Sequence, residues 1–339
     1  MTELSNLLKS AYKGAHVSRD EMRQLVAFFM SGEADPVQIA GALVGLAARG
    51  ETASEITGAA QAMRAVMVPF KTQDSTLKAA IDVCGTGGDA SGSLNISTAV
   101  AFVLAGAGLP VAKHGNRAQS SKSGAADVLA ALGLNLEAEQ DRVERAFHVA
   151  NTAFILAPRH HPAMRFVGPV RQKLGIRTLF NLLGPLCNPA GVRRQLLGVF
   201  SPDWLVKMAE AARELGTETA WLVHGDGLDE LTISGLSQVA ALKDGQITTF
   251  AVKPGDAGLA THPLSALQGG DAAYNAAAMR ALFDGAPGAY RDSVLLNAAA
   301  GLIIAGVESN LKAAASLAAE SLDQGKAGAA LCSLVEAVA

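Results

Sequence analysis

The chain has 339 residues, half of them apolar and only 5% aromatic, so it can bury a large core filled by Ala, Leu, Val and Gly, divided into a main domain and a smaller one. A formal charge of −3 without a long basic run argues against a nucleic-acid partner, although a local basic patch stands at 113–122. The longest apolar runs, 98–112 and 298–307, are shorter than a membrane span and contain Gly or Pro, so they read as buried helices and no membrane partner is expected.

Residues 1–70 read as helices throughout. The opening MTELSNLLKS has no basic region followed by an apolar one, so no secretory signal is expected. Ser18-x-x-Glu21 and Thr52-x-x-Glu55 are capping boxes, Asp35-Pro36 is an N-cap followed by proline in the first turn, and Gly50 stops the preceding helix. The helices predicted at 18–30, 36–49 and 53–67 carry apolar residues at three- and four-residue steps, for example Val37, Ile39, Ala40, Leu43 and Leu46. Nothing here proposes chemistry, but the apolar faces exceed what short helices bury alone, so docking to another domain or subunit is expected. Residues 69–76 form a polar connector.

From 77 to about 260 strands and helices alternate, which predicts a largely parallel sheet. The strand at 80–84 ends in Gly85-Thr86-Gly87-Gly88, a turn that brings backbone N–H groups close to an anion. Asn95-Ile96-Ser97-Thr98 precedes the apolar run 99–107, where a helix start would add unpaired N–H groups, the positive dipole end and two hydroxyls. A second strand, 109–112, leads to Lys113, His114, Asn116 and Arg117, then Ser120, Ser121, Ser123 and Gly124. Two consecutive strand ends thus carry phosphate-binding chemistry on one sheet edge. A dinucleotide site would need an acidic residue where Lys113 and His114 stand.

Helices are predicted at 124–132, 138–150, 165–174 and 203–215, strands at 152–156, 194–200 and 220–223, and a hairpin at 239–243 and 246–252 turning on Asp244-Gly245. Helices close the chain at 272–284, 291–306, 310–323 and 326–338, with no internal repeat. Cys84, Cys187 and Cys332 lack C-x-x-C spacing and read as reduced cytoplasmic thiols. Three further stretches attract attention. His160-His161-Pro162-Ala163-Met164 is no metal pair, because adjacent residues point apart. In the stretch 171–185, spacing alone favours reading Arg171 and Arg177 as surface charges on a helix. Gly225-Asp226-Gly227-Leu228-Asp229-Glu230 is either a polar turn or a site for a hard cation.

GTGGD (85–89), NIST (95–98) and KHGNRAQSSKSG (113–124) resemble the phosphoribosyl pyrophosphate loops of the anthranilate phosphoribosyltransferases of tryptophan biosynthesis. The resemblance implies an α/β domain, 77–164 and 189–339, with a mostly parallel central sheet flanked by helices, and a small all-helical domain of 1–70 joined by helices near 165–188. It implies that the donor is held by Gly85, Gly88, Asp89, Ser93, Asn95, Ile96, Ser97, Thr98, Lys113, His114, Gly115, Asn116, Arg117, Ala118, Gln119, Ser120 and Ser121. Anthranilate would contact Gly85, Asn116, His161 at the pocket mouth, Arg171 on the carboxylate and Pro185 on the ring, with Arg177 structural. Ser97, Asp229 and Glu230 would hold Mg²⁺ on the pyrophosphate; no acid or base is assigned, and His114 and Asn116 would orient the amine. The family commonly has Ser where this chain has Ala125, so one hydroxyl contact to phosphate is expected to be missing. A homodimer through the helical domain and an anthranilate synthase amidotransferase partner are also implied. Rival readings are a pyrimidine-nucleoside phosphorylase, a relative with another acceptor, and a nucleic-acid-binding paralogue.

Overall fold

The computed structural model describes residues 3–72, 75–89, 91–118 and 122–339. The N-terminal helices are α1 (Glu3–Tyr12), α2 (Arg19–Ser31), α3 (Pro36–Arg49) and α4 (Ala53–Ala65). Three start on reciprocal capping boxes, Ser18 with Glu21, Asp35 with Gln38 and Thr52 with Glu55. Glu55 also accepts the Val17 N–H at 2.9 Å and both Arg49 Nη atoms at 2.6 and 2.9 Å, so one buried carboxylate ties three segments together. The predicted apolar stripe of α3 holds at Ile39, Leu43 and Leu46, but Val37 is 78% exposed on the opposite face.

Seven strands among the described residues form one sheet: β1 (Ile81–Gly85), β2 (Val111–Gly115), β3 (Thr152–Leu156), β4 (Arg194–Gly198), β5 (Thr219–Gly225), β6 (Ser237–Lys243) and β7 (Gln246–Val252). The spatial order is β3-β2-β1-β4-β5-β6-β7, with β1–β5 parallel and the β6–β7 hairpin antiparallel. That hairpin turns on Asp244 and Gly245, both at positive φ, as a two-residue turn matched to strand twist requires. The chain runs outward from β1 to β3, then returns to place β4 on the other side of β1. Order therefore reverses between β1 and β4, and a crevice opens at their C-terminal ends.

The remaining helices are α5 (Ile96–Gly106), α6 (Ala125–Ala131), α7 (Gln140–Ala150), α8 (Ala157–His160), α9 (Met164–Leu174), α10 (Phe180–Leu183), α11 (Leu205–Glu214), α12 (Ala272–Phe283), α13 (Ala289–Ile304), α14 (Leu311–Asp323) and α15 (Lys326–Val338). One face of the sheet packs on α5 and α12–α15 through Val83, Val100, Leu104, Leu296 and Leu331. On the other face a continuous core joins Leu197, Val199 and Leu222 to Met208 of α11, Val167 of α9, Leu183 of α10 and Leu25, Leu43 and Ile56 of the N-terminal helices. The apolar faces of the first helices are thus covered largely by α9, α10 and α11 of the same chain. Among the described residues no helix is long and apolar enough to cross a membrane.

Candidate active site

The crevice between β1 and β4 is floored by two glycines paired in register, Gly85 and Gly198. A Cβ on Gly85 would stand 2.2 Å from Asp229 Oδ2, and one on Gly198 would stand 1.5 Å from the Asp229 carbonyl oxygen. Both strand ends must be bare because Asp229 lies across them. Gly87 and Gly88 then turn at positive φ, and the Gly87 N–H donates to Asp229 Oδ2 at 2.7 Å. The neighbouring Glu230 accepts the Ser97 N–H at 3.1 Å in the first turn of α5. Both carboxylates are partly exposed yet crowded, and burial raises both carboxyls above their ordinary range. Asp89 adds to the rise at Asp229, and Asp229 adds to that at Glu230. Buried Lys113 donates to the Val83 carbonyl at 2.5 Å and to Ser97 Oγ at 3.2 Å.

The second loop leaves β2 through Gly115 and Asn116, whose Oδ1 accepts the Arg117 N–H at 2.8 Å. Asp127, in the first turn of α6, accepts from the Ala118 and Gly124 N–H groups at 2.9 and 3.0 Å and pairs with Arg117 at 3.3 Å. One carboxylate thus closes both ends of the loop. Gln119, Ser120 and Ser121 lie outside the described residues. Ala125 opens α6 where the resemblance implies a serine. Ile96 and Thr98 are buried in α5. Asn95 stands at its N-cap, but its side chain does not cap the helix: its Oδ1 accepts from Asn275 at 2.9 Å, and its carbonyl accepts the Tyr290 hydroxyl at 3.1 Å. Ser93 Oγ accepts from Ser91 Oγ at 3.1 Å.

On the helical side, His114 Nδ1 meets the Gly184 carbonyl at 3.2 Å and its ring lies 5.2 Å from that of His161. Burial, reinforced by the two neighbouring histidines, pushes His114 down to about 3. Burial and His160 push His161 down to about 4, and both rings are neutral at pH 7. His161 is 4% exposed. Arg171 on α9 donates to Asn181 Oδ1 at 3.3 Å and stands 5.6 Å over the Phe180 ring. Among the described residues no carboxylate pairs with Arg171, burial lowers its pKa, and its Nε is buried without a partner. Pro185, buried next to Gly184, is fixed by its carbonyl accepting from Gln195 Nε2 at 2.9 Å. Arg177 donates to the Gly88 carbonyl and stacks 4.3 Å over Phe200, linking the α9–α10 turn to the glycine turn.

One edge of the site therefore combines a glycine turn, a helix start and a buried ammonium beside two under-neutralised carboxylates. The facing side offers neutral rings, a proline and a guanidinium without a carboxylate partner among the described residues. Asp82, Asn181, Asn188 and Asn275 hold these groups in place and were not singled out from the sequence. Asp82 left one signal, a lone charge inside an otherwise apolar strand. Among the described residues no three His, Cys, Asp or Glu side chains gather closely enough to hold a metal by themselves.

The family described as "Glycosyl transferase family, helical bundle domain" matches residues 5–67, and that described as "Glycosyl transferase family, a/b domain" matches residues 77–328. The anthranilate phosphoribosyltransferase of Rhodopseudomonas palustris strain BisA53 is 52% identical over 336 residues, 99% of this chain and 98% of the relative. The chain belongs to the anthranilate phosphoribosyltransferase family. The crystal structure of the anthranilate phosphoribosyltransferase of Thermus thermophilus matches at a TM-score of 0.91 and 44% identity, covering 98% of this chain and 99% of that one. The anthranilate phosphoribosyltransferase of Saccharomyces cerevisiae, solved in complex with PRPP and Mg, matches at 0.89 and 27% identity over 99% and 98% of the two chains. The small helical region and mostly parallel sheet expected from the sequence are the architecture of this enzyme family.

Proposed function

We propose that the chain transfers the 5-phosphoribosyl group of phosphoribosyl pyrophosphate to the amine of anthranilate, a step of tryptophan biosynthesis. A bond forms between the ribosyl C1 and the amine nitrogen, the bond from C1 to the pyrophosphate oxygen breaks, and the amine proton leaves to solvent. The observation that carries this reading is the pairing of an anion-binding strand edge with a half-buried Arg171 that no carboxylate of the described residues neutralises. The glycine turn with Gly85, Gly88 and Asp89, residues 93–98 and the loop 113–121 would hold the donor. Arg171 would take the carboxylate of anthranilate through a charge-assisted pair, and Pro185, His161, Asn116 and Gly85 would frame the ring.

The donor set Asp229, Glu230 and Ser97 Oγ is all hard oxygen, and burial and mutual repulsion raise its two carboxyls, a cost that a bound cation would offset, so it fits Mg²⁺. When bound, the ion would neutralise charge on the pyrophosphate. Lys113 and the N–H groups of the glycine turn and the α5 start would stabilise the negative charge that grows on the leaving group. An arylamine is neutral at pH 7, so neutral His114 orients it and no strong base is needed. Holding both substrates at reacting distance can itself contribute about 7–11 kcal/mol in favourable cases.

The helical region and residues 165–188 would act as one unit closing over the sheet domain. Tyr12, Val37 and Val44 are 42%, 78% and 42% exposed on α1 and α3, which suits a homodimer through this face. A cytoplasmic setting and an anthranilate synthase amidotransferase partner belong to the same reading. Anthranilate fluorescence tests the reaction: the signal should fall only when protein, phosphoribosyl pyrophosphate and Mg²⁺ are all present, and EDTA should stop it. A steady signal with the donor still bound would remove anthranilate as acceptor.

A further inference from the structure

The β1–β2 ladder stops where the crevice begins. Ile81 N–H donates to the Pro110 carbonyl at 3.0 Å, and Ile81 pairs with Val111, but no later pair forms among the described residues. Each strand stays fully paired with its other neighbour, β1 with β4 to Gly85 and β2 with β3 to Gly115. A continuing parallel ladder would next use the Ala112 carbonyl, the Val83 carbonyl and the His114 N–H. Side chains occupy all three. Asn188 Nδ2 donates to the Ala112 carbonyl at 2.8 Å, Lys113 Nζ donates to the Val83 carbonyl at 2.5 Å, and Asp82 Oδ1 accepts the His114 N–H at 3.1 Å. The Asn188 amide favours the charged form of Asp82, and its own Oδ1 is fixed by the Ala190 N–H at 2.8 Å. Asp82 is fully buried, and Asn188 is 4% exposed.

Burying a carboxylate and an ammonium in mid-sheet is costly where ordinary ladder bonds would satisfy the same groups without charge. The arrangement has a geometric effect that a ladder lacks: it parts β1 from β2 at the end carrying the two ligand loops. The Lys113 ammonium then links the Val83 carbonyl of β1 to Ser97 at the start of α5. We propose that Asp82 and Asn188 are positioning residues that, with Lys113, hold β1 and β2 apart and so set the spacing between the glycine turn and the 113–118 loop. This inference rests on the phosphoribosyl-transfer reading, because it is the donor that must span both loops.

The test is two-substrate steady-state kinetics on purified Asp82→Asn, Asn188→Ala and the double variant, with thermal melting as a check on folding. Asp82→Asn keeps an oxygen for the His114 N–H but sets a second amide against Asn188. In folded protein we expect kcat/KM for phosphoribosyl pyrophosphate to fall about ten- to a hundredfold, as for an ångström-scale misplacement. KM for the donor should rise, and the double variant should be little worse than the poorer single one, because both serve one spacing. A merely structural role would lower the active fraction, and hence apparent kcat, with both KM values unchanged, and that result overturns the inference. If Asp82→Asn fails to fold, Asn188→Ser, which removes only the amide, decides by the same split. An inactive wild type would overturn the reaction itself, whereas an active wild type with unaltered KM in the variants overturns only the spacing role.

Discussion

Arg171 shows how much a single residue can carry. Its guanidinium is half-buried, lies over Phe180 and has an amide oxygen rather than a carboxylate as its partner. Charge-assisted hydrogen bonds are worth about 1.5–3 kcal/mol, so Arg171→Ala should raise KM for anthranilate roughly 10- to 100-fold. Donor affinity, measured by titration calorimetry, should stay within about twofold; unchanged anthranilate kinetics would remove Arg171 from the acceptor site. The buried histidines make a second prediction at this scale. His114 and His161, pushed down to about 3 and about 4, titrate near 6.5 once unfolded. Between those values the unfolded chain binds protons that the native one refuses, so stability is fully present above about pH 6.5 and drains away as pH falls. The slope is at most about 1.4 kcal/mol per pH unit for each ring. Urea midpoints from pH 7 to 4 should fall less steeply for His161→Phe than for the wild type, and an identical slope would contradict the neutral assignment. The residues facing the crevice were legible because glycines, hydroxyls and carboxylates cluster in short motifs. Asn188 and Asn181 were not, because an asparagine's importance lies in partners that the fold brings from far along the chain.

At the scale of elements, local chemistry was read well where it is self-contained. Capping boxes and the Asp244-Gly245 turn define their own geometry within four residues, and α2, α3 and the hairpin follow from them. Val37 stands exposed within the apolar pattern of α3, because a helical period places residues on faces but does not say how wide the buried face is. The single turns α8 and α10 left no periodic signal in the sequence. The ends of β1 and β4 show the opposite limit. The strand predicted at 194–200 gives Gly198 no special role, yet the strand stops there and the Asp229 carbonyl occupies the place of its Cβ. Gly198→Ala must push backbone aside, at the upper end of the roughly 1–3 kcal/mol seen for overpacking. It should lower Tm and cut activity at least tenfold by displacing Asp229 and Glu230. A variant with wild-type Tm and wild-type Mg²⁺ dependence would show that the 229–230 turn does not depend on this contact.

For the whole molecule, alternation of strands and helices predicted a parallel sheet but not its order. The reversal between β1 and β4, which locates the crevice, arises from one long return of the chain that no local pattern records. The exposed face of α1 and α3 makes the prediction for assembly. Val37→Asp should shift the protein from dimer toward monomer in sedimentation velocity while leaving the melting curve of the dilute protein nearly unchanged. A wild type that sediments as a monomer at micromolar concentration would remove this face as an interface.

The division of labour along the chain has an evolutionary corollary. Groups assigned to the acceptor come mainly from one contiguous stretch, His161 to Pro185, whereas those assigned to the donor sit on strand ends scattered through the sheet. Substitutions confined to about two dozen consecutive codons could therefore present a different nucleophile to an untouched phosphoribosyl site, and lineages of this architecture can change what they glycosylate without rebuilding how they do it.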